Sequence, residues 1–126
     1  MREYHGSVVI GGGPAGPTAG MYLRRPWIDV VLVERSHLGG AAAGTERVEN
    51  PGFPRGVSGP DLMARTADQV KNFGLDIREL FNVVEISRTA DDTFLISSGP
   101  CHQGQQSRAR NGHYQSRGRS EDFALR

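Results

Sequence analysis

Residues 8–16 read Val8-Val9-Ile10-Gly11-Gly12-Gly13-Pro14-Ala15-Gly16, and Glu34 closes the next apolar run, Ile28-Asp29-Val30-Val31-Leu32-Val33. A short β-branched strand enters a glycine turn, and the turn opens a helix. That is the order of a Rossmann βαβ unit, which aims a helix N-terminus at a pyrophosphate. Gly11 permits the tight turn, Gly13 lets the backbone come close to phosphate, and Gly16 lets the helix pack on the strand. Unpaired N–H groups at the helix start, with the positive end of its dipole, favour negative charge there. Glu34 lies about 20 residues on, where a carboxylate accepts both hydroxyls of an adenosine ribose. It also repels a 2′-phosphate, so the pattern points to FAD or NAD rather than NADP.

The 126 residues suit one domain with a real core. The net charge of +1 conceals an asymmetry: residues 1–98 carry ten Arg/Lys against twelve Asp/Glu, and residues 99–126 carry five against two. The body therefore offers no basic face for nucleic acid. Cys101 is the one cysteine, which excludes an internal disulfide, a CxxC dithiol and a cysteine zinc cluster, and no metal site is expected. No apolar stretch approaches the ~20 residues of a membrane span. The polar start (Arg2, Glu3, His5) has no signal-peptide core, so a cytoplasmic location is expected.

Periodicity predicts a strand over 7–10, a helix over 14–25 and a second strand over 28–33. Pro17 is harmless only if it falls in the first turn of that helix. Residues 36–60, rich in Gly, Ala and Pro, read as a long irregular excursion, which in a compact domain is usually functional or disordered. Ser58 then caps a second helix, with Asp61 in the capping-box position, Met63, Ala67, Val70 and Phe73 as its apolar stripe and Gly74 as its stop. Residues 75–77, 83–86 and 93–96 read as short strands, the last two joined by a turn at Asp91-Asp92. Past Ser98 the chain loses periodicity and almost all aliphatic residues, and a disordered tail is expected over 99–126.

Three further motifs carry a resemblance. Glu34-Arg35-Ser36-His37-Leu38-Gly39-Gly40, then Val48-Glu49-Asn50-Pro51-Gly52-Phe53-Pro54, then Gly56-Val57-Ser58-Gly59-Pro60-Asp61-Leu62-Met63 follow the glycine turn in order. Over residues 6–98 the chain resembles the N-terminal FAD half-domain of the low-molecular-weight thioredoxin reductases. The resemblance implies an α/β, Rossmann-like, three-layer half-domain with a short β-meander, spanning 1–98. It implies a pyrophosphate on Gly11, Gly13, Pro14, Ala15 and Gly16, a ribose on Glu34, and Arg35 as a further cofactor contact. Gly39, Gly40 and Ala41 would pass along the flavin, with Asn50 near the ring and Val83 backbone at the adenine.

The implied activity is electron transfer from NADPH through FAD to a disulfide, with a thioredoxin-like partner and a homodimer for complete members. No residue of this chain is expected to act as acid, base or nucleophile, because the cofactor and absent cysteines carry that chemistry. Ala41 stands where the family has Gln, the aromatic residue between Asn50 and Pro51 is missing, and Pro17 replaces an apolar helix residue. The family's NADPH/CxxC domain and its C-terminal return to the FAD domain have no counterpart, so the chain reads as incomplete. The tail reads as out of frame: codons for Gly112-His113-Tyr114, shifted by one nucleotide, can spell the Val-Ile-Ile of the family's next strand. Three other functions stay open: a non-catalytic nucleotide-binding module or inactive fragment, a ferredoxin- or flavodoxin-NADP reductase of the same fold, and a small NAD-dependent dehydrogenase. The last lacks a Tyr-x-x-x-Lys pair, since Lys71 is the only lysine.

Overall fold

The structure, a computed structural model, describes residues 2–99 and 122–125. Strand β3 (Val30–Val33) is its axis, and all four of its residues are buried. A strand covered on both faces can be apolar throughout, and Val-Val-Leu-Val is. It lies between β2 (Ser7–Ile10) and β4 (Asp76–Arg78) in a parallel sheet of order β2-β3-β4, with Val9 opposite Leu32 and Leu32 opposite Ile77. Among the described residues β2 pairs with β3 alone.

Alternation along β3 divides the core in two. Val30 and Leu32 point to one face, where Met21 of α1 (Ala15–Arg24), Val70 of α2 (Gly59–Asn72) and Leu75 complete a cluster. Val31 and Val33 point to the other face and meet Phe81 and Ile96. That second layer is an antiparallel meander of β5 (Asn82–Arg88) and β6 (Phe94–Gly99), joined by β7 (Asp122–Leu125) and β1 (Arg2–His5) in the order β1-β7-β6-β5. Helices, parallel sheet and meander make the three layers expected. Burying each such Val or Leu stabilises the fold by about 1.5–3 kcal/mol.

Local signals place the helices. Pro17 is the third residue of α1 and fully buried. In a first turn no intrahelical partner awaits its missing N–H, so the helix runs on unbroken. The Ser58 hydroxyl accepts the Asp61 N–H at 3.2 Å and starts α2, and Gly74 stops it with φ of +70°. Of the expected stripe, Met63 and Val70 are buried, but Phe73, the C-cap just past α2, is 39 % exposed; Leu62, in the first turn, is buried as well. Phe73 instead lies under the Arg25 guanidinium, with Tyr22 beside it.

The excursion over 36–60 is ordered at two points: a 3-10 turn, η1 (Gly40–Gly44), and a bridge between Val48 and Val57. Two strands were not foreseen. β1 is polar and its sequence signals no element, yet it pairs in parallel with β7, Tyr4 opposite Ala124. The expected disordered tail differs at both its ends: Gly99 closes β6, and Asp122–Leu125 is a strand between β1 and β6. Main-chain pairing with two neighbours supplies the order that composition does not. The rest of that segment, with Cys101 and Gly112-His113-Tyr114, lies outside the described residues.

Candidate functional site

Each glycine of the turn meets a different constraint. Gly11 has φ of +109°, a conformation that L side chains rarely adopt. A Cβ on Gly16 would stand 1.8 Å from the Gly11 carbonyl oxygen, so helix and strand end touch through bare backbone. A Cβ on Gly13 would meet nothing within 4 Å. Gly13 therefore faces open space at the mouth of α1. Pro14 and Ala15 are exposed beside it, and no side chain caps this helix. The N–H groups of Ala15 and Gly16 open the first turn and have no intrahelical acceptor.

Glu34 is buried, with 8 % of its surface exposed. One carboxylate oxygen accepts the Gly12 N–H at 2.6 Å, and the other accepts the Ser36 N–H at 2.8 Å. The side chain thus ties the glycine turn to the segment that leaves β3. An ionised carboxylate offers about four lone-pair positions, so two remain for further donors. Arg35, next to it, is exposed.

Gly39 and Gly40 close the site from above. Gly39 takes φ of +132° and Gly40 φ of +52°, and the Gly39 N–H donates to the Gly12 carbonyl at 2.8 Å. A Cβ on Gly40 would lie 3.3 Å from Gly13 Cα. The double glycine therefore rests on the glycine turn itself. Ala41 is exposed, and its carbonyl accepts the Thr45 hydroxyl at 3.1 Å.

Gly11 to Gly16, Glu34, Gly39 and Gly40 thus come together in one place. Arg35 and Ala41 adjoin Glu34 and Gly40 in the chain, and the remaining expected positions, Asn50 and Val83, are held by other segments. Asn50 lines a crevice of about 270 Å³ with Thr18 and Met21 of α1 and Leu62 and Arg65 of α2. Val83 sits on β5, packed against the Val31–Val33 cluster. Sequence reasoning missed three contributors. Gly12 binds Glu34, Leu38 packs against both Gly12 and Glu34, and Glu79 receives the Leu38 N–H at 2.8 Å. The Leu38 N–H, and to a lesser degree the His37 ring, hold the Glu79 carboxyl below its usual range, against a smaller opposing effect of burial. An acid one residue past β4, as Glu34 is one past β3, was the available signal. Among the described residues no group of His, Cys, Asp or Glu could hold a metal ion, and no helix is long and apolar enough to cross a membrane.

This arrangement can receive a phosphorylated nucleotide: open backbone at a helix mouth for the phosphates, and a fixed carboxylate beside it for ribose hydroxyls. Known proteins are similar to this chain in sequence and fold. Residues 9–73 match the NAD(P)-binding Rossmann-like domain family, a span of 65 of the 126 residues. Thioredoxin reductase of Mycolicibacterium smegmatis is 41 % identical over 78 residues, covering 61 % of this chain and 25 % of that protein. Thioredoxin reductase of Streptomyces clavuligerus is 36 % identical over 108 residues, covering 83 % of this chain and 33 % of that one. The structure of Lactococcus lactis thioredoxin reductase superimposes with a TM-score of 0.66 at 32 % identity, over 73 % of this chain and 30 % of that chain. The chain thus spans a third or less of the length of these relatives. It belongs to the NAD(P)-binding Rossmann-like domain family, and over its N-terminal part it has the fold of the thioredoxin reductases and is similar to them in sequence.

Proposed function

We propose that this chain is the FAD-holding part of a flavin oxidoreductase of the thioredoxin reductase type, with residues 1–98 as the nucleotide-binding unit. The observation that carries the reading is the open space at Gly13, bounded by the α1 mouth, Gly40 and Glu34. Ala15 and Gly16 donate to the diphosphate through their N–H groups. Glu34 accepts the ribose hydroxyls through its remaining lone pairs, and its charge disfavours a 2′-phosphate. Gly39 and Gly40 bring bare backbone close to the dinucleotide, and Ala41 adds no side-chain hydrogen bond. Arg35, Asn50 and Val83 are proposed as outlying contacts. FAD, when bound, supplies two-electron redox chemistry between NADPH and a disulfide. The activity, the NADPH donor, a thioredoxin-like acceptor, a homodimeric assembly and a cytoplasmic site of action belong to the same proposal. Their support is the similarity to thioredoxin reductases, one of which, from Arabidopsis thaliana, is named NADPH-dependent.

The test is titration of the purified chain with FAD, NAD and NADP, followed by flavin fluorescence or calorimetry. FAD should bind, and Gly13→Val should weaken it at least tenfold, since its Cβ would stand in open ligand space with no protein atom within 4 Å. Equal binding by Gly13→Val, or NAD binding with none for FAD, overturns the reading.

A further inference from the structure

We propose that Glu79 is a positioning residue of the nucleotide site, setting the turn that presses Gly39 and Gly40 onto the glycine loop. This rests on the nucleotide-binding reading and adds to it a residue from a different strand end. Two main-chain hydrogen bonds, and a third link through the Glu79 carboxylate, join the segment leaving β3 to the segment leaving β4. The Phe81 N–H donates to the Glu34 carbonyl at 2.8 Å, and the Leu80 N–H to the Ser36 carbonyl at 3.1 Å. The third is made by a side chain: the Leu38 N–H donates to Glu79 Oε1 at 2.8 Å, while Glu79 Oε2 lies 3.2 Å from His37 Nδ1.

That third bond is the one nearest the double glycine. The Leu38 side chain packs on the core cluster of Met21, Leu32 and Leu75 and, with Ala43, lines a cavity of about 410 Å³ shared with Met63, Ile77 and Glu79 itself, whereas the Glu79 bond fixes its main chain. The backbone is also committed to this arrangement. Leu80 holds φ of +59°, a left-handed conformation uncommon outside glycine, and its N–H bond to Ser36 stands between Glu79 and the Phe81 contact. Leu38 then transmits the placement. A Cβ on Gly12 would lie 2.9 Å from Leu38 Cδ2, and the next N–H, from Gly39, donates to the Gly12 carbonyl. Glu79 touches no expected ligand atom and acts through Leu38.

The full chain and its Glu79→Ala and Glu79→Gln variants would be titrated with FAD and with ADP-ribose, alongside amide hydrogen exchange. Glu79→Ala should weaken both ligands roughly threefold to tenfold, the range for losing one charge-assisted hydrogen bond in a partly exposed setting. Leu38 and Gly39 amides should exchange faster in that variant, while those of Val31–Val33 keep their protection. Glu79→Gln keeps an acceptor oxygen for Leu38 and should restore most of the affinity. Unchanged affinity or unchanged exchange at Leu38 in Glu79→Ala overturns the proposal. Loss of Val31–Val33 protection also overturns it, by showing a general structural role. Absence of any binding by the unaltered chain instead overturns the nucleotide reading on which it stands.

Discussion

Glu34 and Gly12 stand 22 residues apart, and the Gly12 N–H donates to the Glu34 carboxylate at 2.6 Å. The residue expected to hold a ribose therefore also anchors the loop expected to hold the phosphates. A single substitution should damage both stability and binding. In Glu34→Ala the Gly12 N–H, which is buried, loses its acceptor, and Ser36 loses its own. The cost should be about 2 kcal/mol, the desolvation penalty of a buried unsatisfied donor. Glu34→Gln should fall between, since its amide offers one acceptor oxygen where two N–H groups point. Urea unfolding midpoints check the order; an alanine variant as stable as the parent would refute it.

The glycines of α1 should separate by what they touch. Gly16→Ala places a methyl 1.8 Å from the Gly11 carbonyl oxygen, and backbone must move to admit it. Overpacking of that kind costs about 1–3 kcal/mol. Gly20→Ala meets only the Leu75 side chain, 2.7 Å away, which can turn aside. Its clash is offset by the helix propensity of alanine over glycine, about 1 kcal/mol, so its net effect should be close to neutral. Thermal melts of the two variants should differ by several degrees.

A similar contrast holds at the start of α2. Ser58→Ala removes the cap on the Asp61 N–H and should cost about 1 kcal/mol. Gly59→Ala should cost more, because its Cβ would lie 1.7 Å from the Ala42 carbonyl oxygen and 2.7 Å from that of Thr45. Those two atoms belong to η1 and its cap, which follow directly on Gly39. Gly59→Ala should therefore also weaken FAD binding, whereas Ser58→Ala should not. A cap variant that lost affinity and a Gly59 variant that kept it would break this link.

Acid stability should depend on Asp76. Its carboxyl is held below its ordinary value of 3.8, chiefly by the hydrogen bonds from Arg78; burial opposes this, and the charges of Arg78 and His5 add smaller lowering effects. A lowered folded value means stabilisation that is fully present above the unfolded pKa and lost as pH falls through the folded one. The window thus opens just below pH 4. Asp76→Asn should flatten the decline of unfolding free energy as pH falls below about 4. An unaltered slope in that variant would contradict the assignment.

The chain's own order of residues determined the βαβ unit. Val-Val-Ile before three glycines, an apolar run of β-branched residues before Glu34, and Ser58 three places before Asp61 are local signals, and local sterics and capping read them directly. The glycine turn, the helix mouth and the acid of the site were legible for the same reason. Only the tertiary structure decided that the polar residues of β1 form a strand, because pairing with β7, more than a hundred positions away, supplies the bonds. It also left Phe73 partly exposed as the C-cap, because α2 ends at Asn72, and buried Leu62 on nearly the same face of the helix. Glu79 and Leu38 joined the site by the same route. The acid one place past a strand marks Glu79 locally, but its bond to Leu38 depends on two strand ends meeting across the sheet, a non-local relation.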